Sequence, residues 1–238
     1  MIELQVAVAK VARHGQAESG DTLEMIERPG GGFSFVLVDG QGSGRGAKVL
    51  SNSIVTRAMA QLKDGSRDGV AARAAHDYLY TYRMGQVAAT LNIVSVDFQS
   101  NTLLVSRNNP APFFVLDAQG VRTFGEPSAP IGLNPLAKPQ IAEMAIKPFL
   151  YLIVFTDGLL KAGEQHGEDV EIGNFLAGWN AQAGHSAEQL CDALLNRALE
   201  LDRNEPTDDM TIVVLAALPR QEDMPVRRMQ VTFPLEGN

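Results

Sequence analysis

Cysteine is nearly absent. Cys191 is the only one in 238 residues, so no internal disulfide can form and no cysteine framework exists for zinc or iron–sulfur ligation. A reducing, cytoplasmic setting fits that composition. Positive charge is also scarce: 20 Lys and Arg stand against 28 Asp and Glu, a formal net charge of −8. An excess of carboxylates opposes binding to nucleic-acid backbones and anionic lipid surfaces, so neither is expected as a partner. No apolar run is longer than 149–155, which is too short to span a bilayer and long enough for a buried strand. No basic stretch followed by a long apolar one opens the chain. Instead Ile2, Leu4, Val6 and Val8 alternate with polar residues, which reads as a strand and not as a signal peptide. Internal repeats and low-complexity tracts are missing too.

What is present is ample material for a core, with 45% apolar and 20% charged residues. Strand patterns at 2–8, 22–26 and 33–38 predict a β-meander broken at Pro29-Gly30-Gly31-Gly32. The period then changes. Ala47, Leu50, Ile54, Ala58 and Leu62 fall at helical spacing, and Val70, Ala74, Tyr78 and Tyr82 repeat it after Asp64-Gly65-Ser66. Strands resume over 87–97, 102–106, 113–117 and 121–124. A Pro- and Gly-rich ordered loop over 127–139 precedes two more, 141–146 and 150–156. Ser186-Ala187-Glu188-Gln189 is a capping box opening a helix with Leu190, Leu194, Ala198 and Leu201 on its inner face. Cys191 lies beside that face and is read as a packing residue. A strand over 210–216 closes the body, and Met229, Val231 and Phe233 alternate in a tail that suggests an extra edge strand. Strands, two helices, strands, helices and a last strand predict a sheet sandwich flanked by helices.

The chemistry is carried by four aspartates at strand ends or turns: Ser19-Gly20-Asp21-Thr22, Val38-Asp39-Gly40, Phe155-Thr156-Asp157-Gly158 and Thr207-Asp208-Asp209-Met210-Thr211. Asp is disfavoured inside strands, so acids ending such apolar strands are expected to collect at one rim of the sandwich. Crowded carboxylates raise one another's pKa unless a cation neutralises them, and all-oxygen ligation selects Mg²⁺ or Mn²⁺. Two such ions can make a water available as hydroxide for in-line attack on phosphorus. Any single Asp-Gly pair also makes a turn without a metal.

Two competing patterns fail on context. Gly42-Ser43-Gly44-Arg45-Gly46-Ala47 fits a dinucleotide fingerprint, yet the helix after it leads to another helix and not to a parallel strand. Ser43 lacks the Gly-x-Ser-x-Gly spacing of a nucleophile elbow, since the residue two before it is Gln41. His14, His76, His166 and His185 are scattered, with no i, i+4 pair.

The ordered set Ser-Gly-Asp21, Asp39-Gly40, Thr156-Asp157-Gly158 and Asp208-Asp209-Met210-Thr211 resembles the metal-dependent Ser/Thr phosphatases of the protein phosphatase 2C (PPM) family. The likeness is to its compact bacterial branch, which includes the sporulation stage II E and stress-response phosphatases. It runs from about Glu3 to Leu218. The resemblance implies an α+β fold, a four-layer α-β-β-α sandwich, in a domain spanning 1–218 followed by a tail over 219–238. It implies hydrolysis of phosphoserine and phosphothreonine with two divalent cations, Mn²⁺ or Mg²⁺. In the family's pattern Asp39 bridges both ions, the Gly40 carbonyl completes one, and Asp21, Asp157 and Asp208 hold the second; Asp39 and Asp21 are the catalytic candidates. The family's Arg shortly before the first acid has no counterpart in Gln16-Ala17-Glu18-Ser19-Gly20, leaving Arg13 as the candidate phosphate contact. Similar bacterial members imply a phosphorylated anti-sigma-antagonist or stressosome-type regulator as partner. The alternative is a phosphoprotein-binding module on the same fold. The oligomeric state is left open.

Overall fold

The computed structural model describes residues 1–220 and 226–233. Its strands are β1 (Ile2–Val11), β2 (Thr22–Glu27), β3 (Phe33–Gly40), β4 (Ala89–Asp97), β5 (Thr102–Asn108), β6 (Phe113–Asp117), β7 (Gly120–Phe124), β8 (Gln140–Ala145), β9 (Leu150–Phe155) and β10 (Met210–Pro219). The helices are α1 (Gly44–Lys63), α2 (Asp68–Arg83), α3 (Gly158–Lys161), α4 (Ile172–Ala177) and α5 (Ala187–Leu201). Two five-stranded sheets result, in the orders β1-β10-β9-β6-β7 and β2-β3-β4-β5-β8. Every strand pair in both is antiparallel, which removes the parallel βαβ unit a dinucleotide site would need.

The near-continuous apolar strands follow from burial on both faces. Side chains alternate across a strand, so in β9 Leu150, Leu152 and Val154 pack between the sheets while Tyr151, Ile153 and Phe155 meet the outer helices. In β3, Leu37 points to the inter-sheet core while Val36 and Val38 pack under α1 and α2. Each fully buried side chain of this kind contributes on the order of 1.5–3 kcal/mol. The helices supply the outer layers: the stripes Ala47, Leu50, Ile54, Ala58 and Leu62 of α1 and Leu190, Leu194, Ala198 and Leu201 of α5 are buried as expected. By contrast, α2 buries Ala71, Ala72, Ala75 and Leu79 and leaves Val70 and Tyr82 of its expected stripe exposed, because small alanines let that face pack closely against α1 and the sheet. The capping box is formed, with Ser186 accepting from the Gln189 N–H and the Gln189 side chain accepting from the Ser186 N–H.

The four layers are those expected. The 127–139 stretch is mostly loop, tied to β4 by backbone bonds between Ile131 and Ala89. In the tail, residues 226–233 form no ladder among the described residues; Arg227 lies 3.5 Å from Glu27 and over the Phe98 ring. The remainder of the expected edge strand's surroundings, 221–225 and 234–238, lies outside the described residues. No helix among the described residues is long and apolar enough to cross a membrane.

Candidate metal centre

Antiparallel register brings the acids to one rim. Thr22 pairs with Val38, so Asp21 and Asp39 follow as neighbours at the end of β2 and β3. In the other sheet Phe155 pairs with Ile212, and the Thr156 N–H donates to the Thr211 carbonyl, which places Asp157 and Asp208 just beyond adjacent strand ends. Each sheet therefore contributes two of the four predicted acids.

Asp21 is fully buried. Its Oδ2 accepts from the Thr211 hydroxyl at 2.6 Å and the Thr156 hydroxyl at 2.9 Å, both from the opposite sheet. Its Oδ1 is buried with no partner. Burial raises the Asp21 pKa to about 6, and the two threonine bonds only partly counter it. The Asp21 carbonyl takes the ammonium groups of Lys10 and Lys48.

Asp39 is half-buried and is pushed up to about 8, first by burial and then by the charges of Asp21, Asp157 and Asp208. Lys161 opposes that push. Three of the predicted ligands thus press on the fourth, and a divalent cation is what would relieve them. The Lys161 ammonium sits 2.7 Å from Asp157 Oδ2 and 2.6 Å from Asp208 Oδ2. Burial disfavours its charge, but bonds to Asp157 and Asp208 outweigh that and hold its pKa above the usual lysine range.

Two glycines beside the acids are fixed by close backbone approach. A Cβ on Gly40 would lie 2.5 Å from the Ala47 carbonyl oxygen, and one on Gly158 would lie 2.1 Å from that of Asp209. Among the described residues, no group of three or more acid, histidine or cysteine side chains is already drawn into a coordination shell. The side chains are engaged elsewhere: Asp21 with two threonines, Asp157 and Asp208 with Lys161. The all-oxygen donor set, the orphaned Asp21 Oδ1 and the mutual repulsion at Asp39 nevertheless fit a hard divalent ion.

The profile of the family described as Stage II sporulation protein E (SpoIIE) matches residues 29–217. The chain belongs to that family. The stage II sporulation protein E of Priestia megaterium is 22% identical over 211 residues, which is 89% of this chain and 36% of that protein. The chain therefore spans about a third of the length of that SpoIIE relative. The solved PP2C phosphatase domain of Bacillus subtilis SpoIIE, with a fragment of its regulatory domain, superposes with a TM-score of 0.80 at 21% identity, over 93% of this chain and 65% of that one. The catalytic domain of the Ser/Thr phosphatase PstP, solved with two manganese ions, gives 0.66 at 15% identity, over 92% of this chain and 100% of that one. The fold is that of the PP2C phosphatases.

On this SpoIIE-family frame, several residues around the acids escaped the sequence reading. Asp209 is buried and clamps the loop before Asp21, accepting the backbone N–H of Arg13 at 3.0 Å and of Gly20 at 2.9 Å. The adjacent pair Asp208-Asp209 was its only signal. Arg13 itself is exposed and supplies that backbone N–H to the clamp. Arg107 is buried and donates to the carbonyls of Asn109, Ala111 and Glu126, bracing a loop that borders the site. That loop helps to line a cleft of about 190 Å³ beside Asp39 and Asp157, with Gln41, Thr90, Asn109 and Pro110 in its wall. Lys161 was detectable only as a basic residue four positions after Asp157.

Proposed function

We propose that this chain hydrolyses phosphoserine or phosphothreonine in a regulatory protein, using water activated by two divalent cations. The observation that carries the reading is the pressure of Asp21, Asp157 and Asp208 on Asp39 beside an open cleft, on a PP2C fold. Asp39 would span both ions and the Gly40 carbonyl would complete one; Asp21, Asp157 and Asp208 would hold the second. Bound there, Mn²⁺ or Mg²⁺ supplies positive charge for the phosphoryl oxygens and lowers the pKa of the attacking water.

The protein's own groups prepare that chemistry. Thr156 and Thr211 hold Asp21 so that Oδ2 is fixed and Oδ1 is left for a ligand. Asp209 fixes the backbone at Gly20, and Arg107 fixes the wall at Asn109. Arg13, exposed at the start of the clamped loop, is the candidate for gripping the phosphate. The partner in this reading is a phosphorylated anti-sigma-antagonist or stressosome-type protein in the cytoplasm, supported by the SpoIIE family match.

The test is phosphate release from a phosphoserine peptide by the purified chain with millimolar Mn²⁺. Multiple turnovers are expected, with Asp39→Asn slowing them about a hundredfold or more. Prolonged retention of intact phosphopeptide, or an unchanged rate in Asp39→Asn, would reject hydrolysis at this centre.

A further inference from the structure

Lys161 is placed by the single-turn helix α3. The helix α3 begins directly after Asp157, whose carbonyl accepts the N–H of Leu160 at 2.9 Å and of Lys161 at 3.1 Å. Leu159 is fully buried and anchors the turn, so Lys161 returns over Asp157 one turn later. Its ammonium reaches Asp157 Oδ2 and, from the neighbouring strand end, Asp208 Oδ2. The other oxygen of Asp208 accepts the Asp209 N–H at 2.9 Å. Both Asp208 oxygens are therefore committed, one to backbone and one to a side chain that can leave. The Lys161 side chain is 41% exposed, and its flexible stem can carry the charge into solvent without repacking the core.

From this geometry we propose that Lys161 is a tethered competitor for the divalent ion at Asp157 and Asp208, so that this position fills second and needs a higher free-cation concentration than the other. The inference rests on the reading of Asp157 and Asp208 as ligands. An ammonium hydrogen-bonded to both Oδ2 atoms stands where a small cation must approach those oxygens, and two positive charges at that spacing repel. Ion binding must therefore release Lys161. Without the ion, the ammonium prevents Asp157 and Asp208 from repelling each other and Asp39.

The experiment is a Mn²⁺ titration of the full chain, with free ion counted by electron paramagnetic resonance and heats by calorimetry. The wild type is expected to show one tighter and one weaker site. Lys161→Met should tighten the weaker site roughly tenfold, the scale of two partly exposed ion pairs, and leave the tighter one in place. Lys161→Arg, which keeps the charge, should stay near wild type. In EDTA, Lys161→Met should melt earlier than wild type, and Lys161→Gln should behave like it in both assays. Unchanged or weaker Mn²⁺ binding in folded Lys161→Met and Lys161→Gln overturns the competitor role while leaving the ligands standing. A wild type that binds no Mn²⁺, or whose binding ignores Asp208→Asn, removes the ligand reading and the inference with it.

Discussion

The Thr211 hydroxyl donates to Asp21 Oδ2 at 2.6 Å across 190 positions of sequence, tying the β10 end of one sheet to the β2 end of the other. Thr211→Val keeps the shape and deletes the donor. With Thr156 as the one remaining hydroxyl donor to that oxygen, the buried carboxylate loses solvation worth about 1–3 kcal/mol. Urea unfolding in EDTA should show a loss of that size, and the Asp21 pKa should move further above about 6. Equal stability would mean that the bond contributes nothing net.

Stability without divalent ions should fall as pH rises. Asp39 and Asp21 have folded-state pKa values of about 8 and about 6, above the ordinary 3.8. A raised carboxyl pKa means the folded state binds more protons, so its contribution is complete below about 4 and is lost as pH climbs through 6 and 8. Melting in EDTA should therefore drop between pH 5 and pH 8.5. Saturating Mn²⁺ should flatten the slope, and Asp39→Asn should remove most of it. A rising melting temperature over that range in EDTA would contradict the electrostatic account.

Gly40→Ala should damage both stability and activity. The added Cβ would meet the Ala47 carbonyl oxygen at 2.5 Å, backbone against backbone, so either β3 or the first turn of α1 must shift. Overpacking of this kind costs about 1–3 kcal/mol. Chemical denaturation gives the cost, and phosphopeptide turnover reports whether the neighbouring Asp39 has moved.

Asp209→Ala releases the loop over 13–20 from its two backbone bonds. The buried Gly20 N–H and the part-buried Arg13 N–H lose a charged acceptor, a penalty of about 1–3 kcal/mol, most of it at Gly20. Faster amide exchange at Gly20 should accompany slower turnover, because Asp21 is the next residue. Protection at Gly20 equal to wild type would remove the clamp from the argument.

Cys191 should be inert in the folded protein. Burial, together with the charges of Asp192 and Glu188, pushes its thiol up to about 12, so almost no thiolate exists at neutral pH. A thiol-disulfide reagent should label it only as fast as the protein unfolds; rapid native labelling would show that the α5 face opens.

Much of the fold was legible because burial imposes a period. The α1 stripe from Ala47 to Leu62 and the Ser186–Gln189 capping box are local patterns whose physics lies within one or two turns. The 149–155 run was legible as a strand for a related reason: covering both faces of β9 leaves no position for a polar residue. The tail was less so. Met229, Val231 and Phe233 alternate as an edge strand would, yet they are exposed, and alternation alone names no partner strand.

Local order thus decided which segments became strands and helices and which acids ended them, since strand propensity and turn chemistry act between neighbours in the chain. Only the tertiary structure decided that Lys161 spans Asp157 and Asp208, that Asp209 grips Gly20, and that Thr156 and Thr211 solvate Asp21. These relationships depend on sheet register and on the stacking of two sheets. Coulomb and hydrogen-bond energies fall off over a few ångströms of space and take no account of separation along the chain.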